Sequence, residues 1–235
     1  MSTKSIFRFK QFKINQTHSA MKIGTDGVLL GAWATHRNPK HILDIGTGTG
    51  LIALMLAQRF SHAKIAAVEI DKTAFCEAKE NFKNSNFADR ILIKHTDIQH
   101  YNTESMFDLI VSNPPFFEHS LPAGSTERTT ARHETLSLQE LLFYAKKLLN
   151  PNGNFCLIFP ANRQKELIEK AENIGLFFEK IVHVRGRKTS EVKRILVCLG
   201  LTPSHTLTDE LTIETARHEY TEEYIELTKD FYLKM

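Results

Sequence analysis

Short apolar segments alternate with longer amphipathic segments along most of the chain. The short segments carry Ile, Val, Leu and Phe at consecutive positions, as expected for parallel strands that are covered by helices on both faces. This pattern predicts seven strands, over residues 41–45, 63–69, 91–95, 107–112, 154–159, 178–184 and 194–201.

The amphipathic segments predict helices over residues 51–58, 72–84, 141–149 and 161–173. Ser137 and Glu140 form a capping-box pattern before the third of these helices, and Asn150-Pro151 ends it. Strands that alternate with helices of this length indicate a parallel, doubly wound sheet.

The last two predicted strands are separated only by the polar stretch 185–193. A parallel crossover needs about a dozen residues or more, so these two strands should be antiparallel. We therefore predict a Rossmann-like α/β fold. Its mostly parallel seven-stranded sheet contains one antiparallel strand and carries helices on both faces.

The N-terminal residues have a different pattern. Phe7-Arg8-Phe9-Lys10 alternates aromatic and basic residues, and an apolar helix is predicted over residues 28–34. We predict that residues 1–36 form an extension that packs on the ligand-binding edge of the sheet. Residues 37–235 then form the main body of a single structural domain.

The composition is that of a globular protein, with 42% hydrophobic and 24% charged residues among 235. It excludes a disordered chain and a disulfide scaffold, because the three cysteines lie far apart. The chain contains no apolar run of about 20 residues and no signal-peptide pattern. We expect a cytoplasmic protein with no membrane contact, and no metal site, since the eleven histidines show no ligand spacing.

A glycine-rich loop follows the first predicted strand, with the sequence Asp44-Ile45-Gly46-Thr47-Gly48-Thr49-Gly50. Glycines at this position allow a tight turn and let a ligand approach backbone N–H groups. A tight strand–helix connection without a ligand would also use glycines.

Two acidic residues follow at the ends of the next two strands. Glu69 could accept hydrogen bonds from both hydroxyls of an adenosine ribose, and Asp97 could reach an adenine amino group. Either residue could instead cap a helix or be solvated. A dinucleotide fingerprint would need Gly or Ala where Leu51 stands.

The G-x-G-x-G pattern preceded by an acidic residue resembles that of class I S-adenosylmethionine-dependent methyltransferases. The resemblance implies S-adenosylmethionine as cofactor, bound by residues of the loop and of the strand ends: Asp44, Gly46, Gly48, Gly50, Glu69 and Asp97.

The fourth strand runs directly into Asn113-Pro114-Pro115-Phe116-Phe117. Two prolines just past a strand end would hold Asn113 rigidly at the edge of the sheet where ligands of such folds bind. The Asn113 side-chain oxygen and the Pro114 carbonyl can accept hydrogen bonds from an amine, and Phe116 can stack on a base for about 1–3 kcal/mol. A rigid corner without chemistry is the alternative.

This motif resembles that of methyltransferases that act on adenine N6, guanine N2 or protein glutamine. It implies catalytic roles for Asn113, Pro114 and Phe116, a cofactor contact for Asn113, and substrate contacts for Pro115, Phe116 and Phe117.

Both ends of the chain resemble the bacterial valine-tRNA adenine-37 N6-methyltransferase family, through residues 9–12, 20–34 and 220–235. The resemblance covers essentially the whole chain and identifies residues 37–235 as the methyltransferase domain. It implies that the segment before the first strand holds the methionine part of the cofactor, through Lys22, Thr25, Asp26 and Gly27. The family often has Tyr where Phe116 stands, and Phe also occurs in guanine-N2 enzymes.

Basic residues in predicted loops could contact the phosphates of tRNA: Arg128, Arg132, Arg187 and Lys188. The net charge of +3 is compatible with RNA but does not require it. We expect a monomeric enzyme with tRNA as substrate. The alternatives are a guanine-N2 or protein-glutamine methyltransferase, a non-catalytic RNA-binding module and, more distantly, a dehydrogenase.

Overall fold

The computed structural model of the protein describes residues 5–19, 22–115 and 136–235. A two-stranded antiparallel sheet, β1 (Ile6–Arg8) and β2 (Lys13–Asn15), precedes the central sheet. Within the described residues the central sheet has nine strands: β3 (His41–Ile45), β4 (Lys64–Glu69), β5 (Ile91–His95), β6 (Phe107–Ser112), β7 (Leu149–Pro160), β8 (Phe177–Arg187), β9 (Val192–Gly200), β10 (Leu207–Ala216) and β11 (Glu219–Tyr220).

The strand order is β11-β10-β8-β9-β7-β6-β3-β4-β5. Strands β3 to β7 are parallel, and β9 runs antiparallel between β7 and β8, which confirms the predicted reversed strand. The sheet extends beyond the seven predicted strands, because β10 pairs in parallel with β8 and β11 pairs antiparallel with β10. β10 is a largely exposed strand with polar residues on both faces, so it lacks the apolar pattern that revealed the others.

Six α-helices lie within the described residues: α1 (Thr25–Trp33), α2 (Leu51–Arg59), α3 (Lys72–Lys83), α4 (Leu138–Leu148), α5 (Gln164–Asn173) and α6 (Glu222–Thr228). The predicted capping box is present at α4, where Ser137 and Glu140 bond reciprocally. Asp71 caps α3 by accepting the Ala74 N–H. Helix α1 begins at Thr25, three residues before the predicted start at 28.

Two apolar clusters cover the two faces of the sheet. One contains residues of α1, α2 and α3, together with Phe9, Phe12 and Ile14 of the N-terminal segment. The other contains residues of α4 and α5, such as Leu141 and Leu167. The N-terminal segment therefore shares a core with the helices that flank the glycine loop.

The strand order reverses between β3 and β6, since β4 and β5 lie on one side of β3 and β6 lies on the other. In an open parallel sheet this reversal leaves a crevice at the carboxyl ends of the two strands, where ligands bind. The glycine loop follows β3 and Asn113 follows β6, so the fold brings both motifs to this crevice. None of the helices in the described ranges has the length and apolar character needed to cross a membrane.

Candidate active site

A cleft of about 430 Å³ lies at the carboxyl ends of β3 and β6. Three segments line it: the N-terminal segment 22–27, the glycine loop with the start of α2, and residues 113–115 after β6. The cleft brings together nine of the predicted site residues: Lys22, Thr25, Asp26, Gly27, Gly46, Gly48, Asn113, Pro114 and Pro115.

The glycine loop adopts a conformation that other residues rarely take. Gly46, Gly48 and Gly50 have φ values of 70°, 58° and 86°. A Cβ atom at Gly46 or Gly48 would meet no atom of the described residues within 4 Å, which leaves space for a ligand beside this loop. A Cβ atom at Gly50 would lie 2.4 Å from the Phe82 ring. Gly50 therefore serves the packing of the loop on α3, and it is not among the residues that line the cleft.

Asp44 is fully buried at the end of β3. Its Oδ2 atom accepts hydrogen bonds from the Thr47 hydroxyl, at 2.6 Å, and from the Ala53 N–H, at 3.2 Å. Its Oδ1 atom has no hydrogen-bond partner within the described part of the chain. Burial raises the pKa of Asp44 to about 7, against the lowering effect of these hydrogen bonds. Asp44 is not among the residues that line the cleft, so its predicted contact with the cofactor remains a prediction.

Glu69 is buried at the end of β4, and both of its oxygens have protein partners. One accepts the Gly48 N–H at 2.8 Å and the other accepts the Asp71 N–H at 2.9 Å. Glu69 therefore holds the glycine loop through the Gly48 N–H. Each carboxylate oxygen retains a lone pair for a further donor.

Asp97 follows β5, and its carboxylate binds the backbone N–H of His100 at 2.7 Å and the His100 ring at 2.8 Å. Neither Asp97 nor Glu69 is among the residues that line the cleft. Their predicted contacts with the adenosine part of the cofactor remain predictions.

Asn113 is half-buried where β6 ends. The buried Ser112 hydroxyl donates a 2.9 Å hydrogen bond to the Ile45 carbonyl, which fixes the end of β6 against the end of β3. The residue just before Asn113 is therefore hydrogen-bonded to the backbone just before the glycine loop. Phe116, Phe117, Arg128 and Arg132 lie outside the described residues, and their roles remain predictions.

Residues 22–27, which form the N-terminal wall of the cleft, are held in part by polar side chains. The Lys22 ammonium donates to the carbonyls of Gln16 and Thr17. The Asp26 carboxylate accepts a 2.8 Å hydrogen bond from Arg194 of β9. Lys22 and Asp26 thus line the cleft and are also hydrogen-bonded to other parts of the protein.

Arg187 and Lys188 lie at the end of β8, which is parallel to β7 and so ends at the same edge of the sheet as β6. Both are exposed. Arg187 also pairs with Glu214 of β10 at 3.5 Å, which offsets part of the positive charge there. Their contact with RNA remains a prediction.

The sequence matches the methyltransferase small domain family over residues 17–186. It is 47% identical to a protein of Christiangramia forsetii, over 97% of this chain and 98% of the relative. It is 47% identical to a protein of Trichodesmium erythraeum over the same shares of the two chains. Both relatives are named tRNA1(Val) (adenine(37)-N6)-methyltransferase.

The chain belongs to the tRNA1(Val) (adenine(37)-N6)-methyltransferase family.

Solved structures agree with this family at the level of the fold. A predicted O-methyltransferase from Agrobacterium tumefaciens superposes with a TM-score of 0.67 at 19% identity, over 88% of this chain and 96% of that one. TYW2 of Pyrococcus horikoshii, solved in complex with MeSAdo, gives 0.61 at 15% identity, over 86% and 73%. The predicted Rossmann-like methyltransferase fold is confirmed.

S-adenosylmethionine is the cofactor of this methyltransferase family, and the residues present fit it. The cleft volume lies within the usual range for ligand pockets, about 300–1,000 Å³. Open space at Gly46 and Gly48 allows a ligand to approach the backbone. The buried Asp44 Oδ1, which has no partner in the described part of the chain, would be available to a hydrogen-bond donor of the cofactor. Within the described part of the chain no cluster of three or more His, Cys, Asp or Glu residues could hold a metal.

Sequence reasoning missed two residues that this family member uses to build the cleft. Glu77 and Asn81 of α3 are buried, and their side chains bind the N-terminal segment and the glycine loop. The signal was available, since both lie on the helix stripe that also carries Ala74, Ala78 and Phe82. Polar residues on an apolar stripe require hydrogen-bond partners elsewhere in the fold.

Proposed function

We propose that the protein transfers a methyl group from S-adenosylmethionine to N6 of an adenine in tRNA, with adenine 37 of a valine tRNA as the target. The observation that carries this proposal is the meeting of Asn113-Pro114-Pro115 with the glycine loop in one cleft. The cleft joins a methyl-donor site to acceptors for an amine. The full-length relatives named for this reaction support the choice of adenine and of tRNA.

The cofactor supplies an activated methyl group on a sulfonium when it is bound. On the protein side, Asp44, Gly46, Gly48 and the segment 22–27 would hold it, with Glu69 and Asp97 on the adenosine side. Glu69 also accepts the Gly48 N–H, which helps to hold the glycine loop in this conformation.

Asn113 and Pro114 act on the amine. The lone pair of an adenine amino group is delocalised into the ring, which makes it a poor nucleophile. The Asn113 side-chain oxygen and the Pro114 carbonyl accept its two N–H groups and so favour a pyramidal nitrogen whose lone pair points toward the methyl group. Acceptors in fixed positions need no reorganisation during the reaction, and much of the rate gain comes from such positioning.

The substrate side of the cleft begins at Pro115. Pro115 is exposed, and Phe116 and Phe117 follow it as candidate stacking partners. Arg187 and Lys188 lie at the same sheet edge, and together with Arg128 and Arg132 they would contact the RNA phosphates. A base next to the anticodon is partly splayed out, so little unstacking energy is needed to place it in the site. A tRNA substrate also implies action in the cytoplasm, where we propose that the enzyme acts as a monomer.

The test is transfer of labelled methyl from S-adenosylmethionine to total tRNA that lacks the modification, followed by digestion to nucleosides. The proposal predicts label in N6-methyladenosine. Label in N2-methylguanosine would retain the mechanism and change the base. Label in protein but not in RNA would favour a glutamine acceptor, and no label at all would favour an RNA-binding module.

A further inference from the structure

The cleft has an N-terminal wall (residues 22–27) and a glycine-loop wall (residues 46–49), and these two walls come from separate parts of the chain. Affinity for a ligand that touches both walls depends on their separation. Helix α3 contacts the supports of both walls through two buried polar side chains, Glu77 and Asn81, which lie one turn apart.

Asn81 uses both ends of its amide. Its Nδ2 donates to the Thr49 carbonyl of the glycine-loop wall and to the Asn15 carbonyl, both at 2.9 Å. Its Oδ1 accepts the Asn15 N–H at 2.8 Å. One side chain that is only 3% exposed therefore joins the glycine loop directly to the strand that leads to the N-terminal wall.

Glu77 holds the next part of the same segment. Its carboxylate accepts the N–H groups of His18, at 2.6 Å, and Ser19, at 2.9 Å, as well as the Ser19 hydroxyl. Burial raises the pKa of Glu77, but these hydrogen bonds outweigh it and lower the pKa below its usual value. The group is thus an ionised carboxylate with a full set of donors.

Residues 15–19, which α3 holds, are in turn hydrogen-bonded to the N-terminal wall. The Ile23 N–H donates to the Gln16 side-chain oxygen at 2.7 Å. The Lys22 ammonium donates to the Gln16 and Thr17 carbonyls. Residues 22 and 23 of the wall therefore rest on residues 16 and 17, which lie between the attachment points of Asn81 and Glu77.

We infer that Asn81 and Glu77 are positioning residues for the methyl donor, which set the separation of the two cleft walls and thereby the affinity for S-adenosylmethionine. The inference rests on the proposed function, because it takes the cleft to be the cofactor site. Neither residue lines the cleft, and neither contacts Asn113 or Pro114 among the hydrogen bonds described. Their effect should therefore fall on cofactor binding and leave the methyl-transfer step largely intact.

Two conservative variants test this. Asn81→Asp keeps the acceptor but replaces the donor to Thr49 and Asn15 by an oxygen that faces their carbonyls. Glu77→Gln removes the charge and one acceptor. For each variant we expect the Kd of S-adenosylmethionine by calorimetry to rise about ten-fold or more, equivalent to about 1.4 kcal/mol. The KM for the cofactor should rise in step, with kcat at saturating cofactor within about three-fold of wild type.

Arg90→Lys is the matched control. Arg90 is also a polar clamp on backbone carbonyls, since it donates to Ala57, Phe60 and Ala63, but none of these lines the cleft. It should lower the melting temperature and leave the cofactor Kd within about two-fold. If Asn81→Asp does not fold, Glu77→Gln and the milder Ser19→Ala, which removes one donor to Glu77, carry the same comparison.

The inference is overturned if the variants bind the cofactor like wild type, or if Arg90→Lys weakens binding equally at the same loss of melting temperature. A fall in kcat with an unchanged cofactor KM would also overturn it. Failure of the wild-type protein to bind S-adenosylmethionine would instead overturn the proposed function, so the two failures can be told apart.

Discussion

The Ser112 hydroxyl donates a 2.9 Å hydrogen bond to the Ile45 carbonyl across the buried ends of β6 and β3. Ile45 is the last residue before Gly46, and Ser112 is the last before Asn113. This contact, together with the pairing of β3 and β6, therefore links the glycine loop, which we propose holds the methyl donor, to Asn113, which we propose receives the amine. Methyl transfer requires a fixed distance between the glycine loop and Asn113. The Ser112–Ile45 hydrogen bond lies between these two segments and helps to set that distance.

Ser112→Ala removes this contact and leaves a buried carbonyl without its partner. We expect the free energy of unfolding to fall by about 1–3 kcal/mol and kcat to fall by roughly three- to ten-fold. Ser85→Ala is the control, because the Ser85 hydroxyl also donates to a backbone carbonyl, that of Phe82, away from the cleft. Equal losses of kcat in the two variants would contradict a specific role for Ser112.

Asn113→Ala removes the proposed acceptor for the amine. We expect kcat to fall by about 10²–10³-fold, as for other fixed hydrogen-bonding groups in active sites, and the cofactor Kd to change by less than about three-fold. Single-turnover methylation and calorimetry measure the two quantities. A kcat within a few-fold of wild type would exclude this role of Asn113. Asn84→Ala, at an exposed asparagine, is the control and should leave both kcat and the cofactor Kd unchanged.

Glu69→Gln keeps the shape of the side chain but removes its charge and one acceptor. Because Glu69 fixes the Gly48 N–H and is the predicted ribose ligand, we expect the cofactor Kd to rise about ten-fold or more. The kcat at saturating cofactor should change far less. An unchanged Kd would mean that another residue binds the ribose hydroxyls.

Asp44→Asn tests the raised pKa of about 7. A raised carboxyl pKa means that the folded protein holds a proton that the unfolded chain has lost, so stability falls as the pH rises from about 4 to about 7. The slope is at most about 1.4 kcal/mol per pH unit, and the loss is complete above pH 7. The variant should lack this loss. In denaturant titrations without cofactor, the free energy of unfolding of the variant minus that of wild type should therefore increase from about pH 4 to about pH 7. The variant should also bind the cofactor more weakly.

Asp108→Asn is the control of opposite sign. Burial raises the pKa of Asp108, but hydrogen bonds from the N–H groups of His41 and Lys40 outweigh it and lower the pKa. Its contribution is present at neutral pH and is lost as the pH falls below the usual Asp range. If the difference in free energy of unfolding between Asp44→Asn and wild type does not change between about pH 4 and about pH 7, the raised pKa of Asp44 is contradicted.

The sequence predicted the fold well where apolar runs and turn residues agree. Strands β3, β5 and β6 have the predicted bounds, because each contains consecutive apolar residues and is followed by a glycine or a polar residue. β10 was missed because most of its side chains are polar and exposed, so its sequence lacks the apolar pattern of the other strands. The start of α1 was also misplaced, since Gly24 caps it without a side-chain hydrogen bond that a pattern could reveal.

The sequence predicted which motifs lie together, as far as each motif is contiguous in the sequence. The glycine loop and Asn113-Pro114-Pro115 meet in the cleft as expected. The partners that hold the motifs could not be predicted, because the Asp26–Arg194 pair and the Asn81–Thr49 contact join residues far apart in the chain. Such contacts depend on the tertiary path of the backbone rather than on local pattern.

The most direct test of the central claim compares two transcripts of a valine tRNA that differ only at position 37, one with adenine and one with guanine. Each is incubated with the enzyme and labelled S-adenosylmethionine. We predict methylation of the adenine transcript alone, with the label in N6-methyladenosine and its loss in Asn113→Ala. Equal label in both transcripts would contradict the assignment of the base, and label in neither would contradict the assignment of tRNA as the substrate.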